Sequence, residues 1–261
     1  MSAVEVPAVV TGRRGKPVVV LSNSLGSTHR MWDAQIEALG EHFRVVRYDT
    51  RGHGDSPVPD GPYSIDDLAD DLVALLDRLG VERAHLAGLS LGGMTAMRVA
   101  ERHPERVDRL ALLCTAAHFP PVQAWTDRAA LVRGSGAGAV AESVVARWFT
   151  ESYRLARPDV VAHYEAMVAG TPAEGYAGCC EAIAKMDLRQ GLSAITAPTL
   201  AVAGRDDPAT PPARLEEIVT AIPGARLRVV HHAAHLANAE QPDIVTLALI
   251  EHLSAPKTEE K

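Results

Sequence analysis

The fold is decided by the sequence RAHLAGLSLGGMTAMRVAERHP, which spans residues 83–104. Its first part, at 83–88, is a short apolar run that predicts a strand. Its second part, at 91–103, predicts a helix that ends before Pro104, because the residue preceding a proline disfavours the helical conformation. The stretch therefore predicts a strand that turns directly into a helix.

A polar serine, Ser90, lies at the turn between that strand and that helix. It is the centre of a G-x-S-x-G pattern, Gly88-Leu89-Ser90-Leu91-Gly92. One interpretation is a plain helix N-cap, since serine is common there. We favour the other, a nucleophile on a strained strand-to-helix turn, because such a turn needs very small residues two positions away on both sides. The helix N-terminus behind the hydroxyl then favours developing negative charge.

Alternating strands and helices along the rest of the chain predict an α/β fold with a mostly parallel, doubly wound sheet. The strand signals are continuous apolar runs, typical of a parallel sheet covered on both faces. Predicted strands lie at 16–23, 43–49, 83–88, 107–115, 198–204 and 225–231. Predicted helices lie at 64–79, 91–103, 212–222 and 241–253.

The segment 119–190 departs from this alternation, because it contains no convincing strand. Its helical signals lie around 122–133, 139–150, 158–169 and 174–186. We interpret 119–190 as a helical cap inserted into a core formed by 1–118 and 191–261.

Composition excludes some classes of partner. The 261 residues are 47% hydrophobic, which is enough for a sizeable core, and the net charge is −7 without a basic patch, so we expect no nucleic-acid partner. Apolar runs such as PVVVL at 17–21 are far shorter than the roughly 18–20 residues of a membrane helix. The first residues lack the basic-then-apolar order of a signal peptide. We therefore expect no membrane association.

The three cysteines, Cys114, Cys179 and Cys180, form neither a disulfide framework nor a zinc spacing. They are typical of a reducing compartment, so we expect a cytoplasmic location. The sequence leaves open whether the chain forms a homo-oligomer.

A nucleophilic serine needs a base, and the base needs an acid that orients it. Downstream of Ser90, the adjacent acids Asp206 and Asp207 follow the strand at 198–204. Three histidines, His231, His232 and His235, follow the last predicted strand. Both loops lie at the carboxyl ends of strands, where such sheets bind ligands. Neither the acid nor the base is selected by these positions alone, although His235 lies in the loop from which a side chain can reach over the serine.

An oxyanion hole needs two backbone N–H donors. We expect one from Leu91, which follows the nucleophile, and one from Leu25 in the loop SNSLGS at 22–27 after an early strand. The alternative for this loop is an ordinary strand-to-helix turn.

Several motifs together resemble a known family. The sequences GLSLGG, GRDDPATPP and AHLANAEQP resemble α/β-hydrolases in general. The sequences LSNSLGSTHRMWDAQIEAL, FRVVRYDTRGHGDSP, TAAHFPP, DLRQGLSAI and AAHLANAEQP resemble the 3-oxoadipate enol-lactonases in particular, and the resemblance extends from about Val18 to Leu253. Relatives in general carry His-Gly at the oxyanion loop, whereas lactonases of this type carry Asn-Ser, as this chain does at Asn23-Ser24.

The resemblance implies the α/β-hydrolase fold and a set of roles. Ser90 would be the nucleophile, His235 the base and Asp207 the acid, because the family pattern G-x-x-D-x-x-T-P-P falls on Asp207. The RGHG loop matches as well, but it is more often a structural turn, so we leave His53 outside the triad. The activity implied is opening of a small enol-lactone to 3-oxoadipate without metal or organic cofactor.

The substrate of such an enzyme carries a free carboxylate, which arginine recognises through two hydrogen bonds. In the predicted cap the candidates for binding the substrate are Trp125, Arg128 and Arg133. The alternative for the arginines is that they are solvated surface charges, and we expect Trp125 to form an apolar wall of the pocket rather than a remote part of the core. Two other functions remain open: a carboxylesterase or cofactor-free perhydrolase on the same fold, and a ligand-binding protein built on a hydrolase fold.

Overall fold

The computed structural model describes residues 2–255; Met1 and residues 256–261, the end of the predicted core, lie outside the described residues. A seven-stranded sheet forms the centre, with the order β1-β3-β2-β4-β5-β6-β7. Only β1 runs antiparallel to its neighbour, β3, and the other pairs are parallel. The strands are β1 (Ala8–Thr11), β2 (Val18–Ser22), β3 (Arg44–Tyr48), β4 (Ala84–Leu89), β5 (Val107–Leu113), β6 (Thr199–Gly204) and β7 (Arg226–Val230).

Helices cover both faces of the sheet, which is why the central strands are buried along their whole length. On one face of the sheet α2 contacts α3, and a short 3₁₀ helix at Arg189–Ala194 contacts both α3 and α9. On the other face α1 contacts α11. These helices are α1 (Ile36–His42), α2 (Ile65–Arg78), α3 (Leu91–Arg102), α9 (Pro212–Ala221) and α11 (Pro242–Leu253); the short α10 (Ala237–Glu240) precedes α11.

Further helices lie between β5 and β6. Helix α4 packs against α8, and α5 packs against α7. Helix α8 also approaches the β3–α2 loop so closely that a Cβ on Gly175 would lie 2.0 Å from the carbonyl oxygen of Gly52. The helices are α4 (Val122–Ser135), α5 (Gly138–Val145), α6 (Glu151–Ala156), α7 (Pro158–Ala169) and α8 (Ala173–Lys185). That this segment is an inserted cap with limits at 119 and 190 stays an interpretation.

The predicted fold class is confirmed: a mostly parallel sheet wound with helices on both faces. The predicted strands correspond to β2–β7. The prediction missed β1 and the helices α1, α6 and α10. β1 is a four-residue edge strand with half-exposed side chains, so it lacks the buried apolar run that marks the others. The helix predicted at 139–150 ends at Val145, and a second short helix begins at Glu151.

Among residues 2–255, no helix combines the length and the apolar character needed to cross a membrane.

Candidate active site

Ser90 lies at the sharp turn between β4 and α3, in a conformation that serine rarely adopts. Its φ is 55° and its ψ is −115°. The neighbouring glycines make the turn possible, because a Cβ on Gly88 would lie 2.2 Å from the carbonyl oxygen of Gly92, and one on Gly92 would lie 2.2 Å from that of Ser22. The Ser90 N–H donates to the Leu113 carbonyl over 2.9 Å. The fold thus retains a strained serine, as functional sites often do.

Asp207 and His235 meet in adjacent loops at the carboxyl ends of β6 and β7. Asp207 Oδ2 accepts a hydrogen bond from His235 Nδ1 over 2.8 Å and one from the Thr210 hydroxyl over 2.6 Å. Asp207 Oδ1 accepts from the N–H groups of Ala209 over 2.8 Å and of Thr210 over 3.0 Å. Every lone-pair direction of the carboxylate is therefore used, and the imidazole keeps its proton on Nδ1 and leaves Nε2 as an acceptor.

Burial alone raises the pKa of Asp207, but attraction to His235 and hydrogen bonds from His235 and Thr210 outweigh burial, so the net pKa lies below the usual value. The carboxylate is therefore ionised near neutral pH, the form that orients an imidazole.

The structure separates the alternatives that the sequence left open. Asp207 and His235 are buried, with 3% and 4% of their surface exposed. Asp206, His231 and His232 are exposed. Ser90 and His235 line the same cavity, although no hydrogen bond joins their side chains among the described residues. Bonds of this kind often tighten only when substrate is bound.

The two expected oxyanion donors belong to Leu91, which follows Ser90 in the chain, and to Leu25, which lines the cavity of Ser90. Leu91 is the first residue of α3, and the first N–H groups of a helix have no acceptor within the helix. Leu25 lines the same cavity as Ser90, in the loop after β2. Asn23 lies two residues before Leu25, where its amide donates to the Tyr48 carbonyl over 2.7 Å and accepts from the Trp32 indole over 3.1 Å. Asn23 therefore fixes the shape of this loop.

The cavity above Ser90 measures about 190 Å³ and reaches from the sheet edge to helices α4, α5 and α8. Trp125 and Arg128 both line it, and the Arg128 guanidinium lies over the Trp125 ring at 4.8 Å from its centre. That they bind substrate stays a prediction. The Trp125 indole donates to the Phe119 carbonyl over 3.0 Å, which fixes the ring as a wall of the cavity.

Arg133 does not reach this cavity, and we correct the expectation that it binds substrate. It lies on the far part of α4, where its guanidinium pairs with Glu174 at 2.7 Å and Glu181 at 2.5 Å, both on α8. Since its donors are used by these two carboxylates, Arg133 joins α4 to α8.

Arg147 is a charged residue of the cavity lining that the sequence analysis did not name. It follows α5 and lines the cavity together with Arg128. Burial, and after it repulsion from Arg128, lowers the pKa of Arg147. No carboxylate among residues 2–255 forms an ion pair with Arg128 or Arg147. The only sequence signal was its place beside Trp148, which also lines the cavity.

In the described part of the chain, no group of three or more His, Cys, Asp or Glu residues is arranged to hold a metal ion. The three cysteines are free and buried. That the reaction needs no metal or organic cofactor stays a prediction.

Comparisons with known proteins show the family to which the chain belongs. Residues 17–242 match a family model described as the alpha/beta hydrolase fold. The chain is 41% identical over 231 residues to 3-oxoadipate enol-lactonase 2 of Acinetobacter baylyi, covering 88% of this chain and 86% of that protein. It is similar to the crystal structure of the enol-lactonase from Burkholderia xenovorans LB400, with a TM-score of 0.94, 42% identity and 96% of each chain covered. It is also similar to a malate-bound thermophilic esterase from Thermogutta terrifontis, with a TM-score of 0.91, 33% identity, and 96% and 93% of the two chains covered.

Proposed function

The chain belongs to the α/β-hydrolase family and is a hydrolase that acts on ester bonds; from this premise we propose that its substrate is 3-oxoadipate enol-lactone and its product 3-oxoadipate. The observation that carries the proposal is the composition of one cavity. Ser90 and His235 lie in its lining at the sheet edge, and two guanidinium groups without carboxylate partners among residues 2–255 lie in the lining contributed by α4 and by the segment after α5. This arrangement suits a small ester that carries a free carboxylate.

In the acylation step, Ser90 Oγ attacks the lactone carbonyl carbon while His235 Nε2 takes the hydroxyl proton. Asp207 holds the imidazole in the required tautomer and stabilises the imidazolium that forms. The N–H groups of Leu25 and Leu91 bind the oxyanion, and each such donor is worth about 3–4 kcal/mol when it is removed. His235 then protonates the departing enol oxygen as the ring C–O bond breaks.

The acyl-enzyme retains the whole substrate, because ring opening releases no separate alcohol. Water attacks the Ser90 ester with His235 as general base, and the acid is released. The enol product converts to the ketone, which makes ring closure unfavourable. These steps use proton transfer and hydrogen bonding alone, so the proposal includes no metal or organic cofactor.

Recognition of the substrate carboxylate is assigned to Arg128 and Arg147. A carboxylate held by a guanidinium away from water makes two charge-assisted hydrogen bonds. The Trp125 ring, with Arg128 across its face, would provide an apolar surface for the lactone ring. The structural relative from Thermogutta terrifontis is described with malate, a small carboxylic acid, bound to it. A cytoplasmic location, and the lack of nucleic-acid and membrane partners, belong to the same proposal.

The proposal is tested by comparing kcat/KM for the enol-lactone, followed by its ultraviolet absorbance, with kcat/KM for an aryl acetate of similar size. We expect the lactone to be preferred by at least about 100-fold, equivalent to about 2.7 kcal/mol of transition-state discrimination. Arg128→Gln should lose most of this preference by raising KM for the lactone alone. Arg133→Gln is the matched control, because it removes the same charge from the same helix outside the cavity.

A preference for the aryl acetate in the wild-type enzyme would overturn the lactone assignment. It would favour a carboxylesterase, and peracid formation from acetate and peroxide would then test for a perhydrolase.

A further inference from the structure

We propose that His53 is a positioning residue for catalysis, which fixes the oxyanion loop, residues 23–27, through a hydrogen bond that it accepts from the Gly26 N–H. The inference rests on the proposed use of the Leu25 N–H as an oxyanion donor. His53 belongs to the RGHG loop at 51–54, between β3 and α2, a motif to which the triad gives no role. Only 1% of its surface is exposed.

The hydrogen bonds of His53 define one tautomer. The Gly26 N–H donates to His53 Nε2 over 2.9 Å, so Nε2 carries no proton. His53 Nδ1 lies 3.2 Å from the Arg51 carbonyl oxygen, to which its proton is donated. The imidazole is therefore neutral and joins the oxyanion loop to the backbone of its own loop. A proton on Nε2 would face the Gly26 N–H and break this connection.

The bond acts on the peptide next to the proposed oxyanion donor. Residues 24–27 form a turn closed by the Ser27 N–H, which donates to the Ser24 carbonyl over 3.2 Å. Gly26 has a φ of +77°, typical of the third position of a type II turn. Because the Leu25 N–H and the Gly26 N–H belong to consecutive peptides of this turn, holding the second restricts the direction of the first. Side-chain bonds of Asn23 hold the other end of the loop.

The loop that carries His53 is itself held rigidly. The His53 N–H donates to the Thr50 carbonyl over 2.9 Å, and the Ser56 N–H donates to the His53 carbonyl over 3.0 Å. Gly52 and Gly54 on either side have positive φ values of 76° and 51°. A Cβ on Gly54 would lie 2.1 Å from a carboxylate oxygen of Asp49, so the loop packs with no free space there. Because this loop is rigid, the imidazole is held in one place, and the hydrogen bond to it then holds the Gly26 N–H in place as well.

The groups around His53 keep it neutral. Asp49 attracts a proton to it, but this carboxylate already accepts hydrogen bonds from the N–H groups of His29 and Asp55. The Arg51 guanidinium, two residues earlier in the chain, is bonded to Asp71, and Tyr176 and Cys179 of α8 are uncharged because burial raises the pKa of each. Burial is the largest influence on His53 and lowers its pKa below the usual value.

The test uses two side chains of matched length, His53→Gln and His53→Met. The glutamine amide oxygen reaches the place of Nε2 and accepts from Gly26, whereas the methionine sulfur is a weak acceptor. We expect the Met variant to lose about 10- to 100-fold in kcat with KM changed less than about twofold, because removal of one oxyanion donor costs about 100- to 1,000-fold and here a donor is displaced. The Gln variant should retain kcat within about fivefold of the wild type.

Inhibitor binding separates positioning from general structural damage. A boronic acid that forms an oxyanion on Ser90 should bind the Met variant more weakly, in proportion to the loss of kcat. Adipate, a dicarboxylate probe for the guanidinium end of the cavity, should bind both variants as it binds the wild type. Equal loss of kcat in folded Gln and Met variants, full activity in the Met variant, or a parallel loss of adipate binding would each overturn the inference.

If the Met variant does not fold, the Gln variant still decides, since a folded Gln enzyme that has lost more than about 100-fold in kcat contradicts a role based on the acceptor atom. The same factors are expected for the enol-lactone and for an aryl acetate, because the oxyanion loop serves both. An enzyme that cleaves only the aryl ester would refute the proposed substrate and leave the role of His53 to be decided by the aryl ester rates.

Discussion

Replacing Asp207 with asparagine tests the role of the buried carboxylate, and the structure determines how the new amide must lie. Two backbone N–H groups, of Ala209 and Thr210, donate to Oδ1 of Asp207. The amide oxygen of an asparagine must take this place, because an NH₂ group there would face two donors. The NH₂ group then replaces Oδ2, which accepts from His235 Nδ1 over 2.8 Å.

The consequence is a reversed imidazole tautomer. An NH₂ group donating to His235 Nδ1 requires the ring proton on Nε2, the nitrogen that has to take the proton of Ser90. The side chains keep their places, but the base has become a donor. An equivalent substitution in a serine protease lowers kcat about 10⁴-fold. We expect a similar loss here, which corresponds to about 5.4 kcal/mol in activation free energy.

The assay is the initial rate of lactone opening by Asp207→Asn, with folding checked by circular dichroism. Asp206→Asn is the matched control, because it makes the same chemical change at the adjacent, exposed carboxylate. It should retain kcat within about twofold. An Asp207→Asn enzyme with more than about a tenth of wild-type kcat, or an Asp206→Asn enzyme that is as impaired, would refute the assignment of the orienting acid.

Further predictions follow from particular contacts. Arg147→Gln should raise KM for the lactone about tenfold, a loss of about 1.4 kcal/mol, and leave KM for an aryl acetate unchanged in steady-state assays. Gly92→Ala places a Cβ 2.2 Å from the Ser22 carbonyl oxygen and should lower the unfolding free energy by about 1–3 kcal/mol in urea. Glu240 accepts hydrogen bonds from the Ala234 N–H over 2.8 Å and from the N–H and hydroxyl of Thr150. Because Ala234 precedes His235, Glu240→Gln should lower kcat in steady-state assays as well as the melting temperature. Because the folded pKa of Asp207 is below its unfolded value of about 3.9, its stabilising contribution is present above that pH and lost as the pH falls through the folded pKa. Melting curves of the wild type and Asp207→Asn between about pH 6 and pH 2 should therefore converge at the acid end.

The sequence predicts the sheet because its strands carry a physical signal that needs no tertiary context. Strands buried on both faces are continuous apolar runs, so β2 and β4 stand out, and the glycines around Ser90 mark the turn that ends β4. The edge strand β1 gives no such signal, because its side chains are half exposed and its pairing with β3 depends on residues far along the chain.

The candidate site also contains residues that the sequence predicts and residues that only the fold distinguishes. Ser90 was predicted because its turn is local in sequence. The choice of Asp207 over Asp206 came from the family resemblance, and the physical difference, burial against exposure, is visible only in the fold. In the sequence, Arg133 and Arg147 both lie in predicted helical segments, and nothing in the sequence indicates which of them lines the cavity. Packing decides between them, since α8 brings two carboxylates to Arg133 and none among residues 2–255 pairs with Arg147.

The proposed function is tested most directly by the rate of enol-lactone opening by the wild-type enzyme and by Ser90→Ala, followed by ultraviolet absorbance in the same experiment. We predict rapid opening by the wild type and a loss of about 10⁵- to 10⁶-fold in kcat for the variant, as when the nucleophile of a serine hydrolase is removed. A folded Ser90→Ala enzyme that opens the lactone within about tenfold of the wild-type rate would contradict the proposed function.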